Sequence, residues 1–257
     1  MLRRLIRDQK VLAAAGASSF AGLIVLMVIS IFDSYEILGI NRWIKPMKFC
    51  ISIAFYLWTL MFYLYFVPGR ELAKKVIAWG ASLLLLGEIV LITMQAARKT
   101  TSHFNIATSF DDAVFSAMGT MIVVNTFLIA YLLVIYLRSD IQLSRPALWG
   151  MRIGMAVFIL ASAEGAYMSV MLSHSVGVAD GGPGLPLVNW STIGGDLRAA
   201  HFIGMHALQA VPIFAYAMEK LKLPAASGLT IVFGGLYFAV FVFLFVQALA
   251  GRPLLGI

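Results

Sequence analysis

Charge is what this chain has least of: 12% of its 257 residues are Asp, Glu, Lys or Arg, where a soluble domain carries about 25%. With 61% hydrophobic residues and a mean hydropathy of +0.92, there is too little polar surface to cover a water-soluble fold, so lipid is the expected solvent. Cysteine is nearly absent as well. The single Cys50 excludes an internal disulfide and any C-x-x-C motif. A Gly-rich phosphate loop, an H-E-x-x-H pair and a G-x-S-x-G elbow are all missing, which removes the usual signatures of P-loop proteins, zincins and α/β-hydrolases. The net charge of +7 is scattered between apolar runs rather than gathered into a patch. It therefore reads as membrane topology, and no nucleic-acid partner is expected.

What the chain does have is a series of long apolar runs. Backbone amides in hydrocarbon must be satisfied within their own segment, so each run is expected to be a helix. The expectation is an all-α, polytopic helical bundle forming one transmembrane domain over residues 1–257, with about seven spans at 11–32, 48–67, 76–96, 116–137, 149–172, 199–218 and 229–249. Arg3, Arg4 and Arg7 precede the first run as in a signal peptide, but the run is longer than a signal-peptide core and is read as the first span. Basic residues favour the N-terminal tail and alternate connections, from Arg3 to Lys10, Arg70 to Lys75, Arg138 and Arg145, and Lys220 and Lys222. That bias predicts a cytoplasmic N-terminus and an outward C-terminus. The connections around 33–47, 97–115 and 173–198 are the longer ones, and sites are commonly built on such segments. The last of them, rich in glycine and proline from Gly181 to Pro186, is expected to be irregular and able to act as a lid.

Three ionisable residues fall inside the spans at one depth. A rise of 1.5 Å per residue puts Glu88, Glu164 and His206 each roughly 10 to 12 Å below the expected outer end of its helix. Carboxylates at membrane depth are functional by default, because burying them costs several kcal/mol unless they are paired, protonated or hydrated. Glu88, Glu164 and His206 are therefore the expected catalytic groups and a possible transition-metal set. Gln95 shares a helix face with Glu88, Gln209 is an i,i+3 partner of His206, and His103 and His201 lie nearer the surface, so these four are candidate cofactor contacts. Haem is a second possible cofactor, with His103 or His174 opposite His201. Lys45, Lys48, Arg98, Arg198 and Asn105 form a polar, mainly basic rim suited to an anionic lipid headgroup or a quinone-like molecule. Against each of these stands a plainer role: an interhelical bond for the acids, an interfacial contact for the bases.

Two strings stand out, Glu88-Ile-Val-Leu-Ile-Thr-Met-Gln95-Ala-Ala-Arg98 leading to Ser102-His103-Phe104-Asn105, and Asp196-Leu-Arg198-Ala-Ala-His201-Phe-Ile-Gly204-Met-His206-Ala-Leu-Gln209. With Trp43-Ile-Lys45-Pro46-Met-Lys48 they resemble a group of uncharacterised bacterial multi-pass inner-membrane proteins. The resemblance covers most of the chain and implies a bacterial plasma-membrane location, but no activity. A microbial rhodopsin is excluded because the last span has no lysine. The seven-helix zinc hydrolases are excluded because the paired histidines are five apart and on the sixth span. Three function classes remain: a metal- or cofactor-dependent enzyme or redox protein acting on a lipid or quinone-like molecule, a proton-coupled transporter or channel, and an accessory subunit of a membrane complex.

Overall fold

A computed structural model describes residues 2–256, and helices account for most of them. Six helices are long and apolar enough to cross a membrane: Lys10–Phe32, Ile44–Tyr65, Glu71–Ala97, Ser109–Arg138, Arg145–Met171 and Ala226–Leu249. The protein is therefore a multi-pass membrane protein by helix length and composition. In chain order, these six are α2, α3, α4, α5, α6 and α9. Short helices complete the set: α1 (Leu2–Asp8), α7 (Leu197–Met205) and α8 (Ala207–Lys220). The chain divides into two compact units, residues 1–128 and 129–257, and α5 runs from one into the other.

In the first unit, α2, α3 and α4 pack on one another, and the opening part of α5 packs on α4 through Ile92, Val114 and Met118. Small residues permit the close approaches. A Cβ at Gly16 would overlap the indole of Trp58, and one at Gly80 would sit 2.8 Å from Leu128. The link from α2 to α3 is a two-stranded hairpin, β1 (Glu36–Ile37) and β2 (Ile40–Asn41). Its two turn residues, Leu38 and Gly39, both have positive φ, 52° and 76°. That backbone matches the twist of a two-residue hairpin, and glycine adopts it without steric cost.

In the second unit, α6 packs against α7, α8 and α9. Gly150 lets α8 approach closely, since a Cβ there would lie 2.9 Å from that of Ala215 and 3.1 Å from the Pro212 backbone. Ser144 caps α6 by accepting from the Ala147 amide, with Pro146 following, and its hydroxyl donates to Glu219 on α8 at 2.6 Å. Arg152, within α6, donates to the Tyr136 carbonyl at 2.6 and 2.9 Å near the C-terminus of α5. Carbonyls there carry partial negative charge, which suits a guanidinium.

The expected sixth span, 199–218, is two helices in the structure. α7 ends at Met205, α8 begins at Ala207, and His206 is the junction at φ −78° and ψ −2°. The Tyr237 hydroxyl from α9 donates to the Ile203 carbonyl at 2.7 Å, and the His206 ring bonds the Phe202 carbonyl at 2.7 Å. Side chains thus enter the backbone ladder there, which is a recognised cause of a helix break. Apolar composition alone does not disclose it.

The Gly/Pro-rich segment is secured at both ends. β3 (Ser175–Val176) pairs with β4 (Gly195–Asp196), and both pack on α9. Gly195 is pressed against the Ala248 carbonyl, so a Cβ there would overlap backbone that cannot rotate away. Gly195→Ala is expected to destabilise the folded protein by about 1–3 kcal/mol through overpacking. Gly235→Ala, on α9 with nothing within 4 Å of its Cβ, should be neutral or gain about 0.5–1 kcal/mol. Thermal unfolding of both variants in detergent, followed by tryptophan fluorescence, checks the contrast.

Candidate functional site

The two membrane acids each face a histidine of their own unit. Glu164, on α6, is 5% exposed, and its Oε2 lies 2.9 Å from Nδ1 of His201 on α7. The same nitrogen is 3.0 Å from the Ala161 carbonyl. Both partners are oxygens, and a carbonyl oxygen can only accept, so Nδ1 carries a proton. In the neutral ring Nε2 is then the basic nitrogen. The imidazole fits because Gly165 follows Glu164: a Cβ at Gly165 would stand 2.7 Å from the ring carbon Cε1. The His201 side chain is 31% exposed, whereas that of Glu164 is 3% exposed. The second carboxylate oxygen, Oε1 of Glu164, is buried with no hydrogen-bond partner.

Glu88 of α4 is 1% exposed. Its Oε1 is 3.9 Å from Nε2 of His103, and its Oε2 is buried with no hydrogen-bond partner. His103 belongs to the loop 98–108. Its Nδ1 is 3.0 Å from the Ser102 hydroxyl, and its ring is flanked by Phe49, Phe104 and Phe115 at centroid distances of 5.6, 6.2 and 6.5 Å. Lys45, in the first turn of α3, is the cation whose field reaches Glu88.

His206, the third expected member, stacks on Phe202 at 4.1 Å and bonds that residue's carbonyl. The partner of Glu164 is thus His201, not His206. Gln209 follows in the first turn of α8, half-buried. Among the described residues, no three His, Cys, Asp or Glu side chains are grouped so as to hold a metal ion.

The two arginines of the expected rim are fastened to aspartates that were not among the candidate site residues. Asp111 accepts from Gln95 at 2.9 Å, from Arg98 at 2.6 Å and from Thr108 at 2.7 Å, and Arg98 lies over the Phe110 ring at 4.6 Å. Asp196 accepts from the Arg198 guanidinium at 2.6 and 2.9 Å and from the Ser191 amide at 2.7 Å. Asn105 holds its own loop, donating to Thr100 and Thr101 and accepting from the Ala107 amide. Lys48 lies beside Lys45 in the first turn of α3, half-buried. His174, the alternative haem ligand, is paired with Asp180 at 3.0 Å. Burial pushes the Asp180 carboxyl up, but bonds from the His174 ring and amide, with the attraction of the His174 charge, outweigh it and hold it well below the usual range. Some of this was signalled in the sequence. Thr108-Ser-Phe-Asp111 has capping-box spacing, and Asp196-Leu-Arg198 puts opposite charges two apart.

Asp33, just past α2, is the fourth such anchor. It accepts from Arg42, from Trp43 Nε1 at 2.9 Å and from the Tyr35 amide at 3.0 Å. Arg42 also donates to the carbonyls of Ala96 and Ala97 at the end of α4. One carboxylate therefore ties the α2 end, the hairpin and the α4 end together. The Tyr35 amide and then the Arg42 guanidinium hold Asp33 below the ordinary carboxylate range, against a smaller opposing effect of burial.

Because the folded value is depressed, the stabilisation from Asp33 is complete above the unfolded value of about 3.9 and is lost as pH falls through the lower folded value. Asp33→Asn is expected to be less stable than the wild type at neutral pH, with the difference shrinking on acidification through that window. Unfolding midpoints measured across acid and neutral pH check this, and parallel curves for the two proteins would refute it.

Comparison with protein-family models, with curated proteins and with solved structures returns no match to this chain.

Proposed function

We propose that the protein binds a lipid-soluble molecule carrying a hydroxyl or carbonyl, of quinone or lipid type, at His201, and that Glu164 and His201 act there as a carboxylate–imidazole base. The observation that carries this reading is the double anchoring of Nδ1 by Glu164 and Ala161 in a side chain that is 31% exposed, which leaves Nε2 as the basic nitrogen of the neutral ring. A carboxylate or carbonyl on one imidazole nitrogen fixes the tautomer and raises the basicity of the other. In the neutral ring Nε2 accepts a hydrogen bond from a ligand hydroxyl and takes its proton. Glu164 then stabilises the imidazolium, whose Nε2–H donates to a carbonyl. The same geometry offers one imidazole ligand to a metal or haem iron, so cofactor chemistry belongs to the reading as its enzyme or redox form.

His201 is the fifth residue of α7, about 6 Å along the helix from its start. That depth suits the polar head of a molecule whose tail lies in lipid. In this reading α7 and α8 together make a seventh, broken crossing. On the same reading, the bias of basic residues favours a cytoplasmic N-terminus and an outward C-terminus, and the resemblance to bacterial inner-membrane proteins implies a bacterial plasma membrane.

The test is ligand recovery and titration. Protein purified in mild detergent is extracted for quinones and lipids, then titrated with a short-chain quinol analogue while its thermal midpoint is followed. The wild type should be stabilised, His201→Gln should lose the response, and Glu164→Gln should weaken binding about tenfold or more, the worth of a charge-assisted hydrogen bond. An undiminished response in His201→Gln would overturn the assignment.

The break at His206 favours a second reading as a transporter, since discontinuous helices line the substrate sites of many transporters. Ion- or proton-driven uptake of solute into sealed vesicles that is lost in His206→Ala, with quinol binding absent, would select it.

A further inference from the structure

We propose that Glu88 is a proton-binding site of the first unit, filled and emptied through His103 from the loop 98–108. Independently of the reading at His201, it rests on which groups reach both the buried acid and the surface. The Glu88 side chain is 2% exposed, so water does not reach it directly, whereas the side chain of His103 is 21% exposed and still comes to 3.9 Å from Oε1. Phe49 from α3, Phe104 from the loop and Phe115 from α5 flank the ring, and these rings carry no exchangeable proton. The Ser102 hydroxyl lies 3.0 Å from Nδ1. Phe104 adopts a left-handed backbone at φ 59° immediately after His103, and Asn105 bonds Thr100 and Thr101 across the loop. The backbone that carries the imidazole is thus fixed by its loop.

The proton accounting closes without any co-reactant. A proton arriving from water through the partly exposed ring adds to Nδ1 and gives the imidazolium. The Nε2–H is then passed to Glu88 Oε1, leaving a neutral ring protonated on Nδ1; when the ring turns away from the acid, Nδ1 gives that proton to water and Nε2 takes one from water, which resets it. The 3.9 Å gap exceeds a hydrogen bond, so the step requires a rotation of the ring, a motion available to a partly exposed side chain.

Charges around Glu88 are few. α3 contributes Lys45 and Lys48 at its first turn, and the opening turn of α5 contributes Asp111 and Asp112, of which Asp111 is held by Gln95 and Arg98. α2 has no charged residue between Lys10 and its end at Phe32. A buried carboxyl with one oxygen lacking any hydrogen bond is suited to hold a proton reversibly.

The test uses the full chain in liposomes. Infrared spectroscopy should show a carboxylic-acid carbonyl band that disappears in Glu88→Gln, and its hydrogen–deuterium exchange should slow about a hundredfold in His103→Gln, the lower end of what a placed proton-transfer group provides. Ser102→Ala should slow it less. An unchanged exchange rate in His103→Gln, with helicity preserved, would overturn the route. A measurement on unmutated protein stands beside these: a hydrophobic carbodiimide, which reacts with protonated carboxyls, should label Glu88 in a pH-dependent way by mass spectrometry. Absence of label at Glu88 across the neutral range would overturn the site itself.

Discussion

Hydrocarbon offers no hydrogen bonds, and nearly every feature of this structure follows from that. Most polar groups carried into or beside the apolar helices find a partner within the chain, and the orphaned oxygens of Glu88 and Glu164 stand out against them. Arg152 finds its partner in the Tyr136 carbonyl, Tyr56 in Asn125, and Tyr237 in the Ile203 carbonyl. The last is the most consequential. By occupying a carbonyl of the helical ladder, a tyrosine of α9 helps to divide what composition presents as one continuous span.

The connections obey the same constraint by another device. Asp33, Asp111, Asp180 and Asp196 each collect the donors of one irregular segment. A loop beside a membrane cannot rely on burial of apolar side chains, because its neighbours in lipid are equally apolar. A carboxylate accepting from several donors fixes the backbone instead, since hydrogen bonds to a charged group are worth about 1.5–3 kcal/mol each. These aspartates explain why arginines that look like an anion-binding rim in the sequence have their charge already engaged.

Helix type and position were legible from the sequence because a membrane helix is specified by composition over some twenty residues, a signal spread too widely to be lost. The break at His206 was not, because it depends on Tyr237, thirty-one positions away. Glu88 and Glu164 could be singled out from depth alone, but depth says nothing of azimuth. Each residue on a helix turns by about 100°, so equal depth leaves the direction of a side chain open. The partners actually present, His103 and His201, were among the residues named from the sequence, but as contacts near the surface rather than as mates of the two acids. The fifteen and thirty-seven residues separating the members of each pair are set by loop geometry, which Asn105, Asp111 and Asp196 determine and which periodicity does not encode.

The two acid–imidazole pairs differ in which ring nitrogen meets the acid, and that difference decides their chemistry. In the second unit Nδ1 is committed to Glu164 and to a backbone carbonyl, which locks the ring and directs its basic nitrogen away from the acid. Such a ring can receive a ligand but passes protons inward poorly, because its inward nitrogen is shared between two acceptors. In the first unit the remote nitrogen, Nε2, approaches Glu88 across a gap while Nδ1 meets a serine hydroxyl. A ring held at its root and loose at its tip can exchange its position and its proton. Tight anchoring therefore suits binding and loose approach suits transfer, and the contrast arises from two local choices: a glycine beside Glu164 that admits the ring, and a left-handed Phe104 that sets the loop beside His103.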